Sequence, residues 1–336
     1  MPETPDPVLV VAPNWLGDAV MALPAIAGVR RHFTSTRLVV AARRSVADLF
    51  HLVPGVDSLV SADPAGVRDA GASTAILLPN SFASAWLVRR AGIPERWGYA
   101  ADLRSRLLTR AVRRPRTPLH QGEYYQHLVR ELGIGTGPLE PALAIPSTAM
   151  SDARALLAAR GWDGVSPLIV LAPGAAYGKA KQWIPSHVVR LVTDLARDRQ
   201  ATCALIGSRG DAATTSAIRA AVPDDCRSGI VDLAGATTLP VLAAVLSLSR
   251  ACVSNDSGAM HLAGAAGVPL VAIFGSTNEH ATSPLARAGT PAEVLTNPVW
   301  CRPCMLRECP IDHRCMTGIE PRRVLAALDR VADLTA

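Results

Sequence analysis

Only two lysines, Lys179 and Lys181, stand among the 34 basic residues of this 336-residue chain, and they lie two positions apart. Arginine serves everywhere else, so the pair marks a place that calls for a compact ammonium rather than a planar guanidinium fork. Both lie in a loop that starts Pro173-Gly174 and passes Tyr177-Gly178 before Lys179-Ala180-Lys181, between an apolar run and a helical pattern. No Gly-Lys-Ser/Thr opens the helix, so this is not a Walker loop. It can still receive an anion. A second polar loop, Asn255-Asp256-Ser257-Gly258, separates the apolar run 251–254 from the small-residue run 259–266. Gly267 and a second apolar run, 270–274, follow. Strand, turn, helix and strand in so few residues form a βαβ unit of a parallel sheet. The loop then sits where a strand ends and a helix begins, which suits a phosphate. Asp256 and Ser257 would equally serve as plain helix caps.

Asp18 lies in Ala12-Pro13-Asn14-Trp15-Leu16-Gly17-Asp18-Ala19, after the first apolar run. The G-x-G-x-x-G of a dinucleotide site is absent there, which disfavours a nicotinamide dehydrogenase. Asp18 reads either as a helix cap or as a general base at the mouth of a sheet. The stretch 89–116 holds nine arginines against Glu95 and Asp102. Such a run suits an anionic acceptor or an acidic membrane surface. Nucleic acid is disfavoured, because only Trp97 and Tyr99 interleave with the charge. Cys301, Cys304, Cys309 and Cys315 follow the spacing C-x2-C-x4-C-x5-C with His313 inside. They can wrap one Zn²⁺ or an iron–sulfur centre, or stay reduced thiols in a stiff loop.

The elements that must position these residues alternate. Strands are expected at 8–11, 37–41, 56–60 and 74–78, with helices over 19–32, 45–52, 81–91 and 120–132. The stretch 135–146 is rich in proline and glycine and reads as a linker. Alternation then restarts, with strands at 168–171, 201–206, 231–232, 251–254 and 270–274. Helices are expected over 151–160, 185–197, 211–221, 239–248, 259–266 and 321–332. The expectation is an α/β chain of two Rossmann-like domains, 1–146 and 147–336, facing each other across a cleft. Apolar content of 49% is distributed in short runs, too short to span a bilayer. The N-terminal residues show no basic, apolar signal pattern, and most of the seven cysteines crowd near the C-terminus. Both features suggest a cytoplasmic protein with reduced thiols.

Three motifs together resemble the ADP-heptose–lipopolysaccharide heptosyltransferases, GT-B enzymes of glycosyltransferase family 9. They are Pro13-Asn14-Trp15-Leu16-Gly17-Asp18-Ala19-Val20-Met21, Lys181-Gln182-Trp183-Ile184-Pro185, and Asn255-Asp256-Ser257-Gly258-x-x-His261-Leu262-Ala263. Cys301-x-Pro-Cys304-x-x-Arg307-Glu308-Cys309-Pro310 resembles the heptosyltransferase II branch. The resemblance spans nearly the whole chain and implies an inverting transfer of heptose from ADP-heptose to the lipopolysaccharide inner core. It implies Asp18 as base and Lys181 as the cation facing the departing diphosphate. Gly174, Lys179, Asn255, Asp256, Ser257 and Gly258 fall at the donor, with His261 just behind. Asn14, Trp15, Arg104 and Arg106 are expected to meet the acceptor from the first domain. The chemistry implied needs no cofactor, a metal at the cysteines being structural. Peripheral contact with the cytoplasmic face of the inner membrane is implied by the acceptor. Lys179 departs from the pattern and leaves the choice between the lysines open. The alternatives are a GT-B transferase using another sugar nucleotide, or a metal or redox protein built on 301–315.

Overall fold

The structure is a computed structural model that describes residues 6–334. The chain divides into two compact units, Met1–Ala144 and Ile145–Ala336, so the division falls inside the Pro/Gly-rich stretch, at 144/145 rather than 146/147. In unit 1, β1 (Val8–Val11), β2 (Leu38–Ala42), β3 (Ser58–Ser61), β4 (Thr74–Leu77), β5 (Glu95–Tyr99) and β6 (Arg110–Val112) form one parallel sheet of order β3-β2-β1-β4-β5-β6. In unit 2, β7 (Leu168–Ala172), β8 (Thr202–Leu205), β9 (Ile230–Asp232), β10 (Ala251–Asn255), β11 (Leu270–Phe274) and β12 (Ala292–Thr296) form a second, of order β12-β11-β10-β7-β8-β9. Both sheets have the same winding. The first strand of each unit lies between its second and its fourth.

Every residue of β1, β2, β7, β10 and β11 is buried. That is why these strands read as continuous apolar runs: helices cover both faces of a parallel sheet. β5 and β6 gave no such signal. Glu95, Arg96 and Arg110 open them, and β6 is a partly exposed edge, so a charge run in the sequence is a pair of strands in the fold. β12 is another edge strand, half-exposed and likewise silent in the pattern.

The expected helix over 19–32 is two helices, Leu16–Met21 and Leu23–His32. Pro24, at the start of the second, has no N–H with which to continue the ladder of the first. Helix Phe82–Arg90 keeps the expected cap, with Ser81 accepting from the Ser84 N–H. Helix Gln121–Glu131 opens on a capping box between His120 and Glu123. No helix among the described residues is long and apolar enough to cross a membrane.

The winding decides where chemistry can sit. Strand order reverses between β1 and β4 in unit 1, and between β7 and β10 in unit 2. Connections leave in opposite directions at such a point and open a crevice beyond the carboxyl ends of the strands. In unit 1 the flanking segments are 12–15 and 78–81. In unit 2 they are 173–178 and 256–257.

Candidate active site

At the switch point of unit 2 two loops are tied to each other. Asn255, the last residue of β10, is 2% exposed. Its Nδ2 donates to the Pro173 carbonyl at 2.8 Å and to the Gly174 carbonyl at 3.2 Å, while its Oδ1 accepts from the Trp183 N–H at 3.0 Å. Both donors and the acceptor are engaged with backbone, so Asn255, expected at the donor, holds the loops in register. Trp183 is buried and anchors the far side through its indole N–H to the Ile319 carbonyl, 2.8 Å. Gly174 is a glycine for a local reason: a side chain there would collide with the Asp211 carboxylate.

This framework delivers Lys181 to Asp256. The Lys181 Nζ lies 2.6 Å from Asp256 Oδ2, and the same oxygen accepts from Thr277 Oγ1 at 2.7 Å. Asp256 is therefore not a helix cap; its carboxylate orients the lysine. An ammonium has three donors, so two remain for a ligand. The ammonium also lies over the Tyr177 ring, 4.9 Å from the centroid. Ser257 occupies the cap position of helix Gly258–Ala266 without a capping bond, and its hydroxyl meets Ser254 Oγ at 3.0 Å. The first N–H groups of that helix thus stay available beside the lysine, as anion sites require. His261 is buried within the helix. Lys179 is exposed and makes no ion pair among the described residues, so of the two lysines it is Lys181 that the fold builds in.

The cysteine segment packs onto these same loops. The Ala180 N–H donates to the Arg307 carbonyl at 2.9 Å, the Met305 N–H to the Ser276 carbonyl at 2.8 Å, and Tyr177 Oη to the Met305 carbonyl at 2.9 Å. The His313 Nε2 lies 2.9 Å from the Ala180 carbonyl. Arg302 clamps the turn after β11, from Nε to the Gly275 carbonyl at 2.6 Å and with an ion pair to Glu279 at 2.8 Å. Gly178 has no room for a side chain against the Arg307 backbone. The segment is a strap across the lysine loop and the turn that carries Thr277. Its four cysteines and His313 line one small cavity. Burial, followed by the neighbouring thiols, raises Cys315 above the ordinary thiol range. No three His, Cys, Asp or Glu side chains among the described residues are arranged to hold a metal ion, and a metal at Cys301, Cys304, Cys309 and Cys315 is not supported. The turns of the strap answer to the two loops it holds.

In unit 1, Asp18 lies in the first turn of helix Leu16–Met21, whose cap is Trp15, so the cap reading of Asp18 falls too. It is half-buried, with Tyr125 Oη at 3.5 Å from its Oδ1. Burial and then the charge of Asp18 push Tyr125 well above its ordinary value, so the phenol stays a donor toward the carboxylate. Asn14 and Trp15 are exposed beside it. The opposite segment, 78–81, is braced from two sides. Asn80 Nδ2 donates to Tyr124 Oη at 2.9 Å, and the Arg104 guanidinium binds the Pro79 and Ser81 carbonyls and Ser84 Oγ. Arg104 is 0% exposed, and burial draws it down to about 10. Fully buried, it is not placed to reach the acceptor as expected: Nε donates to the Tyr99 carbonyl, Nη1 is held as above, and Nη2 has no hydrogen-bond partner among the described residues. Arg106 is exposed.

Sequence reasoning missed Thr277, Tyr125, Tyr177 and Arg302. Thr277 carried a usable signal, since it follows the apolar run 270–274 at the same sheet end as Asp256. Tyr125 and Arg302 carried none, because each reaches its partner across more than twenty residues of intervening chain.

Several known proteins are similar to this chain. Escherichia coli lipopolysaccharide heptosyltransferase 2 is 29% identical over 96% of this chain and 97% of its own length. Haemophilus influenzae lipooligosaccharide heptosyltransferase 2 is 29% identical over 84% of this chain and 87% of its own. The solved structure of E. coli ADP-heptose LPS heptosyltransferase II superposes with a TM-score of 0.83 at 27% identity, covering 97% of this chain and 98% of that one. The two sheets are accordingly those of a GT-B-like α/β fold. The model of glycosyltransferase family 9 (heptosyltransferase) matches residues 66–314. This chain belongs to glycosyltransferase family 9, and it is a glycosyltransferase.

Proposed function

We propose that this enzyme moves a heptose from ADP-heptose to the lipopolysaccharide inner core with inversion, in the manner of a heptosyltransferase II. The observation that carries the reading is the Lys181–Asp256–Thr277 cluster beside the open N-terminus of helix Gly258–Ala266. An inverting transfer is a single displacement. The acceptor hydroxyl oxygen forms a bond to the anomeric carbon as the bond from that carbon to the diphosphate oxygen breaks. Asp18 takes the hydroxyl proton, and Tyr125 holds the carboxylate in place. Lys181 and the helix N–H groups receive the charge that develops on the departing ADP. Asp256 and Asn255 act by holding the lysine and its loop. Nothing in this route calls on a metal or a redox cofactor.

The names of the relatives supply the donor and acceptor classes, and the exposed Arg110, Arg113, Arg114 and Arg116 suit an anionic saccharide. Unit 1 is then the acceptor-binding domain and unit 2 the nucleotide-sugar domain. The enzyme works in the cytoplasm, in peripheral contact with the inner face of the inner membrane, and nucleic acid has no part in it. The test is transfer by purified protein onto inner-core acceptor lacking the last heptose, with ADP-heptose against UDP-sugars. Turnover with ADP-heptose alone, and a product anomer opposite to the donor, is the expected result. Preference for a UDP-sugar would replace this reading with another sugar nucleotide.

A further inference from the structure

We propose that the exposed face of helix Phe82–Arg90 docks on an anionic phospholipid bilayer. The proposal rests on the reading of the acceptor as an anionic, lipid-linked saccharide. Ser84, Ala85 and Val88 bury one side of the helix, and Phe82, Ala83, Trp86, Arg89 and Arg90 stand exposed on the other. Phe82 and Trp86 are each 47% exposed, and their rings stack at 6.4 Å with 14° between planes. They form a continuous apolar ledge one helical turn long, with no other aromatic ring packed on it among the described residues. One turn further on come Arg89 and Arg90. The 3-10 turn Ser105–Leu107, which packs against this helix, adds the exposed Arg106. None of these three arginines has an acidic partner among the described residues.

Rings beside cations are the composition of an interfacial helix face. The aromatic bodies enter the headgroup layer while the guanidinium groups bind phosphates. An acidic protein surface would answer the charge, but it offers no acyl layer for two large rings. Position agrees with composition. The helix leaves the carboxyl end of β4, at the same switch point of unit 1 as Asp18. A lipid-linked acceptor must bring its hydroxyl to the base while its acyl chains stay in the bilayer. A membrane-facing surface therefore belongs at this edge of the sheet.

The experiment is sedimentation of the full-length protein with phosphatidylcholine vesicles, with and without phosphatidylglycerol, beside transfer assays on embedded and de-acylated acceptors. Wild type should bind only the anionic vesicles, and less so as salt rises. Phe82→Ala/Trp86→Ala should weaken partition about tenfold or more. Arg89→Gln/Arg90→Gln should weaken it by roughly an order of magnitude and lessen its salt dependence. Both variants should keep transfer to de-acylated acceptor and lose it to embedded acceptor. Wild type that ignores anionic vesicles, or an aromatic variant that binds as wild type does, overturns the proposal. Loss of transfer to the de-acylated acceptor in the aromatic variant also overturns it, because the rings would then contact saccharide. If wild type binds vesicles as described but transfers to neither acceptor, the acceptor reading fails and the docking surface stands.

Discussion

Replacing Lys181 with alanine should cost the enzyme twice, once in stability and once in rate. The Asp256 carboxylate is 6% exposed and the lysine side chain 15%, with 2.6 Å between their charged atoms. Removing one partner of a fully buried pair costs about 3–5 kcal/mol, because a buried charge is left behind. Here Thr277 still donates to the same oxygen, and the lysine side is partly wet, so about 2–3 kcal/mol is the expected loss. For a unit of this size that is a fall in Tm of roughly 4–12 °C. Asp256→Asn in the Lys181→Ala background removes the stranded charge and should restore most of that fall. It cannot restore the rate. A missing cation behind the leaving diphosphate is worth about 2–4 kcal/mol in the transition state, or roughly 30- to 1,000-fold in kcat/KM. Thermal melts and initial rates of ADP release for the two single variants and the double variant decide the matter. A double variant as unstable as Lys181→Ala would refute the stranded-charge argument. Wild-type kcat/KM in Lys181→Ala would remove the lysine from the mechanism.

Four other outcomes are expected. Asp18→Asn should keep ADP affinity by calorimetry while turnover falls by about two to four orders of magnitude, and near-wild-type turnover would discard Asp18 as the base. Lys179→Ala should leave Tm unchanged and slow transfer less than Lys181→Ala; the reverse order in rate assays would mean that Lys179 faces the diphosphate. Cys304→Ser should lower Tm by a few degrees and raise the donor KM through the strapped loops, leaving kcat of the folded protein nearly unchanged, so a stable variant without any activity would place the strap in the reaction itself. Tyr125 stays neutral in the fold at pH values where an ordinary tyrosine ionises, above about 10. Its share of stability is therefore full below that pH and lost as pH rises, and Tyr125→Phe should flatten the alkaline side of a Tm-against-pH curve.

The sequence alone was enough to set the alternation of the central strands and helices, to place a boundary in the Pro/Gly-rich stretch at 146/147, and to single out the loops proposed to carry the chemistry. The central strands are buried on both faces and so announce themselves as apolar runs. Glycines and prolines mark where they end, and both are local signals. Lys181, Asp256 and Asp18 could be singled out as candidates because a rare cation and isolated carboxylates at sheet ends stand out without any knowledge of their neighbours. The partners of those residues were not. That Asp256 holds Lys181, that Asn255 is spent on Pro173, Gly174 and Trp183, and that Arg104 turns inward follow from contacts between segments far apart in the chain. An arginine reads as a surface charge until the fold closes carbonyls around it. The cysteine spacing suggested a metal for the same reason: spacing reports which thiols are near along the chain, whereas their approach in space is set by the strap's grip on 177–181 and 275–279. Side-chain partnership depends on which strands become neighbours, and that order is decided only when the two sheets are wound.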